Sequence, residues 1–321
     1  MEKPSNTPSA APGADDTPLD CIIVGGGPAG LTAALYLARY RRRVALIDGG
    51  DSRARWIPVS HNFPGFPDGV TGPGLLDRLH QQIAQYDVAF VSNQVDGLAR
   101  RGPLFVATLG DRTVLAEHVL LATGVSDVGN REGAWTAAIK RGAVRLCPIC
   151  DAYEVTGKKV ALLARGTQVV SHALFLRTYT RELTLVRTDT DSALSAADRQ
   201  TLAEAGITLI EDTAPELVLA PPGQSEPVPG AVVVTSDGRR RTFDTVYPMF
   251  GCHPRSELAQ TLGAECDADG NLLVDAHQAT SVPGLYAAGD LVSGLNQISV
   301  AVGHAAVAAT AIHNRAERQF A

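Results

Sequence analysis

The sequence predicts an α/β protein built of two Rossmann-like, three-layer domains. Three observations carry the prediction. A short apolar run, Leu19 to Val24, meets the glycine turn Gly25-Gly26-Gly27-Pro28-Ala29-Gly30 and then an Ala/Leu-rich helical stretch. The same order returns after residue 158: Val160-Ala161-Leu162-Leu163, a turn, the helix-like TQVVSHALFLRTYT, and a second strand from Leu183 to Val186. The chain has 321 residues, room for about two domains of ordinary size.

Composition narrows the class. Hydrophobic residues make up 45% and charged residues 19%, as in a globular protein with a substantial core. The net charge is -6 and no Lys/Arg run occurs, which argues against nucleic acid and anionic membrane as partners. Residues 1–18 are polar and rich in Pro, Ala and Ser, without the apolar core of a secretory signal, and read as a disordered tail. No uninterrupted apolar stretch approaches the roughly 18 residues that a membrane helix needs. The five cysteines, Cys21, Cys147, Cys150, Cys252 and Cys266, form an odd and sparse set, unlike a secreted disulfide framework, so a cytoplasmic protein is expected.

In the first unit, Gly25, Gly27 and Gly30 occupy the three glycine positions of a dinucleotide fingerprint. The first permits the turn, the second lets a pyrophosphate approach the backbone, and the third lets helix and strand pack closely. The helix N-terminus would add free N–H groups and a positive dipole end. The next strand, Val44 to Ile47, ends at Asp48, where a carboxylate can accept hydrogen bonds from a ribose diol. Cys21, inside the first strand, reads as a buried thiol. His61-Asn62-Phe63-Pro64-Gly65-Phe66-Pro67 is a loop, broken by Pro and Gly. Leu75, Leu76, Leu79 and Ile83 have helical spacing, with His80 as an exposed helical residue, and residues 104–121 alternate as antiparallel strands.

Cys147-Pro148-Ile149-Cys150-Asp151 is the chemically densest stretch. By itself it is half a zinc site, a redox pair that stores two electrons, or two structural thiols. The second unit's turn reads Ala164-Arg165-Gly166-Thr167-Gln168-Val169 and keeps only one glycine of the pattern. The following strand ends Arg187-Thr188-Asp189, without an arginine pair to grip a 2′-phosphate. Residues 221–230 read as a surface loop and Val246 to Phe250 as a strand; Cys252-His253 at its end is read as structural. Gly284 to Asp290 is a strand running into a sharp turn. A small-residue helix follows from about Gln297 to Ala311. His304 on it is either a packing residue or a catalytic candidate.

Taken together, GGGPAG at 25–30, HNFPGFP at 61–67, ATG at 122–124, CPICD at 147–151 and GLYAAGD at 284–290 resemble, in order, the low-molecular-weight thioredoxin reductase family of FAD-dependent pyridine-nucleotide disulfide oxidoreductases. The resemblance makes the CxxC a redox pair and not a metal site, since no second CxxC or Cys/His pair has suitable spacing. It implies a discontinuous FAD domain, residues 19–129 and 253–321, with a CxxC-bearing pyridine-nucleotide-type domain, residues 130–252, inserted. Gly25, Gly27, Gly30 and Asp48 would hold the adenosine diphosphate part of FAD. Asn62 would contact the flavin, Gly289 and Asp290 the ribityl or pyrophosphate region, and Gln297 would open a helix facing the ring. Cys150 would face the flavin, Cys147 would exchange with substrate, and Asp151 would carry the thiol proton, with His304 a further catalytic candidate.

The same resemblance exposes departures. Members that use NADPH have a glycine-rich turn and paired basic residues where this chain has Ala164-Arg165-Gly166 and Arg187-Thr188-Asp189, so NAD(P)H is not an assured cofactor. That pattern is similar to the dithiol-oxidase subset, gliotoxin-oxidase-like and depsipeptide disulfide-forming enzymes. The expectation is oxidation of a small-molecule dithiol, with electrons passed to FAD and then to oxygen or another acceptor. The alternative is reduction of a thioredoxin-like protein or another disulfide with NAD(P)H or another donor. A homodimer is implied by the resemblance alone.

Overall fold

The computed structural model describes residues 17–129, 134–189, 193–219, 230–292 and 294–317. The expected tail and most of the expected loop at 221–230 lie outside the described residues. Contacts divide the chain into two compact units. The first comprises Met1–Ile57, Thr71–Ser126 and His253–Ala321; the second comprises Pro58–Val70 and Asp127–Cys252.

The first unit is built on a mixed sheet, parallel around β1 and antiparallel at the β4–β5 end. β1 (Leu19–Val24) is followed by α1 (Pro28–Arg39), β2 (Val44–Asp48), α2 (Gly72–Ile83), β3 (Ala89–Ser92), β4 (Gly97–Arg101), β5 (Leu104–Leu109) and β6 (Arg112–Leu121). Sheet order is β3-β2-β1-β6-β5-β4. Ile22 and Ile23 of β1 pair in parallel with Ala45 and Leu46 of β2 on one side and with Val119 and Leu120 of β6 on the other. All four β1 residues from Cys21 to Val24 are buried, as a central parallel strand covered on both faces requires. β6 serves two partners along one edge. Its first half pairs antiparallel with β5, from Leu109↔Arg112 to Phe105↔Ala116, and its last three residues pair in parallel with the strand Leu285–Ala287. The late strand thereby joins the sheet begun at residue 19.

Small side chains let one face of this unit pack closely. Ala29, Ala33 and Ala34 of α1 share a buried cluster with Ala301, Ala305, Ala308 and Ala309 of the C-terminal helix Ile298–Arg315. Without long side chains between them, two helices can approach at short range. The helix runs four residues past the expected end at Ala311. Ile312 is fully buried, and Arg42 donates to both the ring nitrogen and the carbonyl of His313, each at 3.1 Å. A basic side chain on the last carbonyls caps a helix whose polar C-terminal sequence gives no such sign.

The second unit carries four parallel strands in the order Thr208–Glu211, Leu183–Arg187, Val160–Ala164 and Thr245–Met249. The helix after Val160–Ala164 spans Val169–Arg177, so Thr167 and Gln168 stay in the turn. An antiparallel meander, Glu216–Leu219, Ala231–Val234 and Arg240–Phe243, closes over Ala161, Leu163 and Val246 in a separate buried cluster. No sequence signal announced that meander. Among the described residues, no helix is long and apolar enough to cross a membrane.

Candidate active site

In the first unit, β1 delivers the chain into Gly25, whose φ is +110°; a Cβ there would strike the carbonyl of Ala122. A Cβ on Gly30 would strike the carbonyl of Gly25, which explains the close seat of α1 on the strand. Gly27 differs. It is the extended residue that opens α1, and a Cβ on it would meet only Ser52 Oγ, at 3.3 Å. No side chain caps α1, and Pro28 occupies its first turn. Asp48 Oδ1 accepts from the backbone N–H of Gly26 (3.1 Å) and of Gly50 (3.0 Å), which fixes the carboxylate at the carboxyl end of β2 beside the glycine turn.

Farther along the same unit, the strand Leu285–Ala287 ends in Gly289, at φ +85°, and Asp290. Asp290 lies 3.4 Å from the guanidinium of Arg53. Burial raises its pKa above the usual carboxylate range, and Arg53 and His304 partly oppose that. Burial lowers the pKa of His304, with Asp290 opposing the shift, and its Nδ1 is buried without a hydrogen-bond partner among the described residues. Gln297 opens the C-terminal helix with its amide donating to the carbonyl of Asn296 at 2.8 Å.

The thiol pair belongs to the second unit. Pro148–Asp151 forms a single helical turn that wraps back on Cys147: the N–H groups of Cys150 and Asp151 donate to the Cys147 carbonyl at 3.0 and 3.2 Å. Proline at the first position and the i to i+3 spacing bring the two sulfurs together, and Cys147 and Cys150 are joined in a disulfide. Asn62, on the loop that follows Pro58, donates to the carbonyl of Ile149 at 3.3 Å and accepts from Ser60 Oγ at 2.9 Å. Asp151 faces inward. Its Oδ2 accepts from Arg145 Nη1 at 2.9 Å and its Oδ1 from the Tyr247 hydroxyl at 2.8 Å. Burial raises the Asp151 pKa, while Arg145 and Tyr247 oppose the shift.

In the second unit's own turn, Gly166 is open to solvent on its Cβ side, but the surrounding groups are engaged with one another. Gly166 N–H donates to Asp189 Oδ2 (2.8 Å), Arg187 Nε donates to Asp189 Oδ1 (3.1 Å), and Arg165 Nε donates to the Phe250 carbonyl (2.8 Å).

The predicted residues thus fall in two sets. Gly25, Gly27, Gly30, Asp48, Gly289, Asp290, Gln297 and His304 belong to the first unit; Asn62, Cys147, Cys150 and Asp151 belong to the second. Sequence reading missed Arg53, Arg145 and Tyr247. Tyr247 carried a usable signal: a tyrosine in the middle of an apolar strand needs a partner for its hydroxyl.

The profile of the pyridine nucleotide-disulphide oxidoreductase family matches residues 19–305, and the chain belongs to that family. It is a flavoprotein disulfide oxidoreductase of the thioredoxin reductase type, with FAD as its cofactor. It is 30% identical to a thioredoxin reductase of Mycolicibacterium smegmatis, over 85% of this chain and 88% of that one. It is 31% identical to a bifunctional thioredoxin reductase/thioredoxin of Mycobacterium leprae, over 88% of this chain and 62% of that longer one. Among solved structures it is similar to HlmI, with a TM-score of 0.83 and 28% identity over 94% of each chain. It is also similar to a thioredoxin reductase from Streptococcus pyogenes, with a TM-score of 0.83 and 25% identity over 94% of this chain and 98% of that one.

Proposed function

We propose that the enzyme oxidises small-molecule dithiols to disulfides through Cys147 and Cys150. One observation carries the direction. The turn that would seat a pyridine nucleotide in the second unit differs from the first unit's: its acid, Asp189, is paired with Arg187, and Arg165 is spent on the Phe250 carbonyl. The thiol pair and its acid remain intact. A protein that keeps its dithiol centre while committing the acid of that turn to an internal ion pair is suited to receive electrons from thiols.

The glycine cradle of the first unit fits FAD. No side chain caps the N-terminus of α1, and Asp48 is fixed with one oxygen towards the turn. Gly25, Gly27, Gly30 and Asp48 would hold the adenosine diphosphate portion, and Gly289, Asp290 and Gln297 would hold the remainder. FAD supplies a two-electron acceptor that oxygen or another oxidant can recharge. At the thiols, one substrate thiolate attacks the Cys147–Cys150 disulfide to form a mixed disulfide on Cys147. The second substrate thiol displaces Cys147, leaving the product disulfide and a reduced cysteine pair. Asp151 carries the protons.

The second reading is an NAD(P)H-dependent reductase of a thioredoxin-like protein, favoured by the names of the curated relatives. Both readings take the enzyme as a cytoplasmic homodimer. Aerobic incubation with a small dithiol separates them: catalytic disulfide formation is expected, abolished by Cys147→Ser and by Cys150→Ser. Dithiol consumption no faster than in the two serine variants would remove the oxidase reading.

A further inference from the structure

We propose that Tyr247 and Arg145 are positioning residues that hold the carboxyl of Asp151, next to Cys150 in the chain, in one orientation for the thiol exchange. The proposal rests on the reading of Asp151 as the acid of the exchange.

The geometry is specific. Each oxygen of Asp151 has its own donor, Tyr247 Oη at 2.8 Å and Arg145 Nη1 at 2.9 Å. Tyr247 is fully buried and sits in the strand Thr245–Met249, where it pairs with Leu162. Its ring is packed in the second unit's core, so the hydroxyl cannot turn to solvent. That hydroxyl is also 3.3 Å from the Asp151 carbonyl. A phenylalanine would fill the same space without burying a polar atom, so the hydroxyl needs its acceptor.

The same strand fixes Arg145. Its N–H donates to the Val246 carbonyl at 3.0 Å, and the Val246 N–H donates to the Ala143 carbonyl at 2.9 Å. Thr245 Oγ1 holds the Gly142 carbonyl at 2.7 Å. Thus adjacent residues of one strand set both donors. Arg145 Nε is buried without a partner, an energetic cost accepted while Nη1 holds Asp151. The ionisable groups that face Asp151 are Arg145, Tyr247 and Glu154, and Glu154 opposes a negative charge there.

In the exchange, the substrate thiolate attacks Cys147 Sγ and the S–S bond breaks. The electron pair goes to Cys150 Sγ, which takes a proton from the Asp151 carboxylic acid. The second substrate thiol returns a proton to the Asp151 carboxylate as it attacks the mixed disulfide, and Cys147 leaves as a thiolate. The substrate loses two electrons and the cysteine pair gains them. An acid that both gives and regains a proton needs a fixed orientation.

The test uses the holoenzyme mixed anaerobically with dithiothreitol, with reduction of Cys147–Cys150 followed by rapid alkylation and mass spectrometry across pH. Asp151→Asn is expected to flatten the limb of the pH profile that belongs to this acid. Tyr247→Phe removes a hydrogen bond to the charged carboxylate, so it is expected to move that limb to higher pH and to slow reduction about tenfold. In an Asp151→Asn background, Tyr247→Phe is expected to add no further loss, and Arg145→Lys, which keeps the charge, is expected to retain more activity than Arg145→Met. Equal slowing by Tyr247→Phe in both backgrounds, or an unmoved limb, overturns the positioning role while leaving the acid in place. An unchanged profile in Asp151→Asn overturns the acid assignment itself.

Discussion

Cys21 and Cys147 show how environment divides one residue type. Cys21 is fully buried in β1, and burial holds its thiol protonated far above the usual range. Cys147 lies on a one-turn helix in a disulfide with Cys150. Cys21 is therefore expected to resist alkylation in the native enzyme. Cys21→Ser is expected to lower stability by about 1–3 kcal/mol, read by denaturant unfolding, because a hydroxyl replaces an apolar thiol between β2 and β6. At this scale the thiol pair, its acid and the glycines were legible, since each chemistry is written in consecutive residues. Tyr247 was not, because it meets Asp151 only through the strand order of the second unit, 96 residues away. Arg53 meets Asp290 across 237 residues, beyond any local pattern.

At the scale of elements, turns and helix faces carry the sites. Gly289 stands at the carboxyl end of the strand Leu285–Ala287 with φ +85°, and a Cβ there would lie 3.1 Å from Ala29 Cβ and 3.7 Å from Ala301 Cβ. It touches both helices of the small-residue face. Gly289→Ala is expected to cost about 1–3 kcal/mol, from left-handed backbone strain and overpacking. Its measurable signs are a lower Tm and weaker retention of the flavin on dilution. The strand and helix of each βαβ unit were legible from apolar runs and glycines. The meander at Glu216–Leu219, Ala231–Val234 and Arg240–Phe243 was not, because its strands are four residues each and partly exposed. The C-terminal helix outran its sequence signal because tertiary contacts from Arg42, not helix propensity, set its end.

For the whole molecule, the two units repeat one plan and use it differently. In the first, Asp48 accepts from the backbone N–H groups of Gly26 and Gly50. In the second, the equivalent acid, Asp189, is held by Arg187, a cation whose side chain is only 3% exposed. A carboxylate committed to an internal ion pair is a poor receptor for a ribose diol. This asymmetry was visible in the sequence as lost glycines, but the pairing of Asp189 with Arg187 required the fold. In the proposed direction, electrons enter from thiols. Stopped-flow flavin absorbance under anaerobic conditions tests it most directly, with a small dithiol, NADH and NADPH in separate arms. Rapid bleaching by the dithiol is expected, lost in Cys150→Ser, with no bleaching by either nucleotide at millimolar concentration. Rapid bleaching by NADH or NADPH, with an oxidised flavin after dithiol, would contradict it.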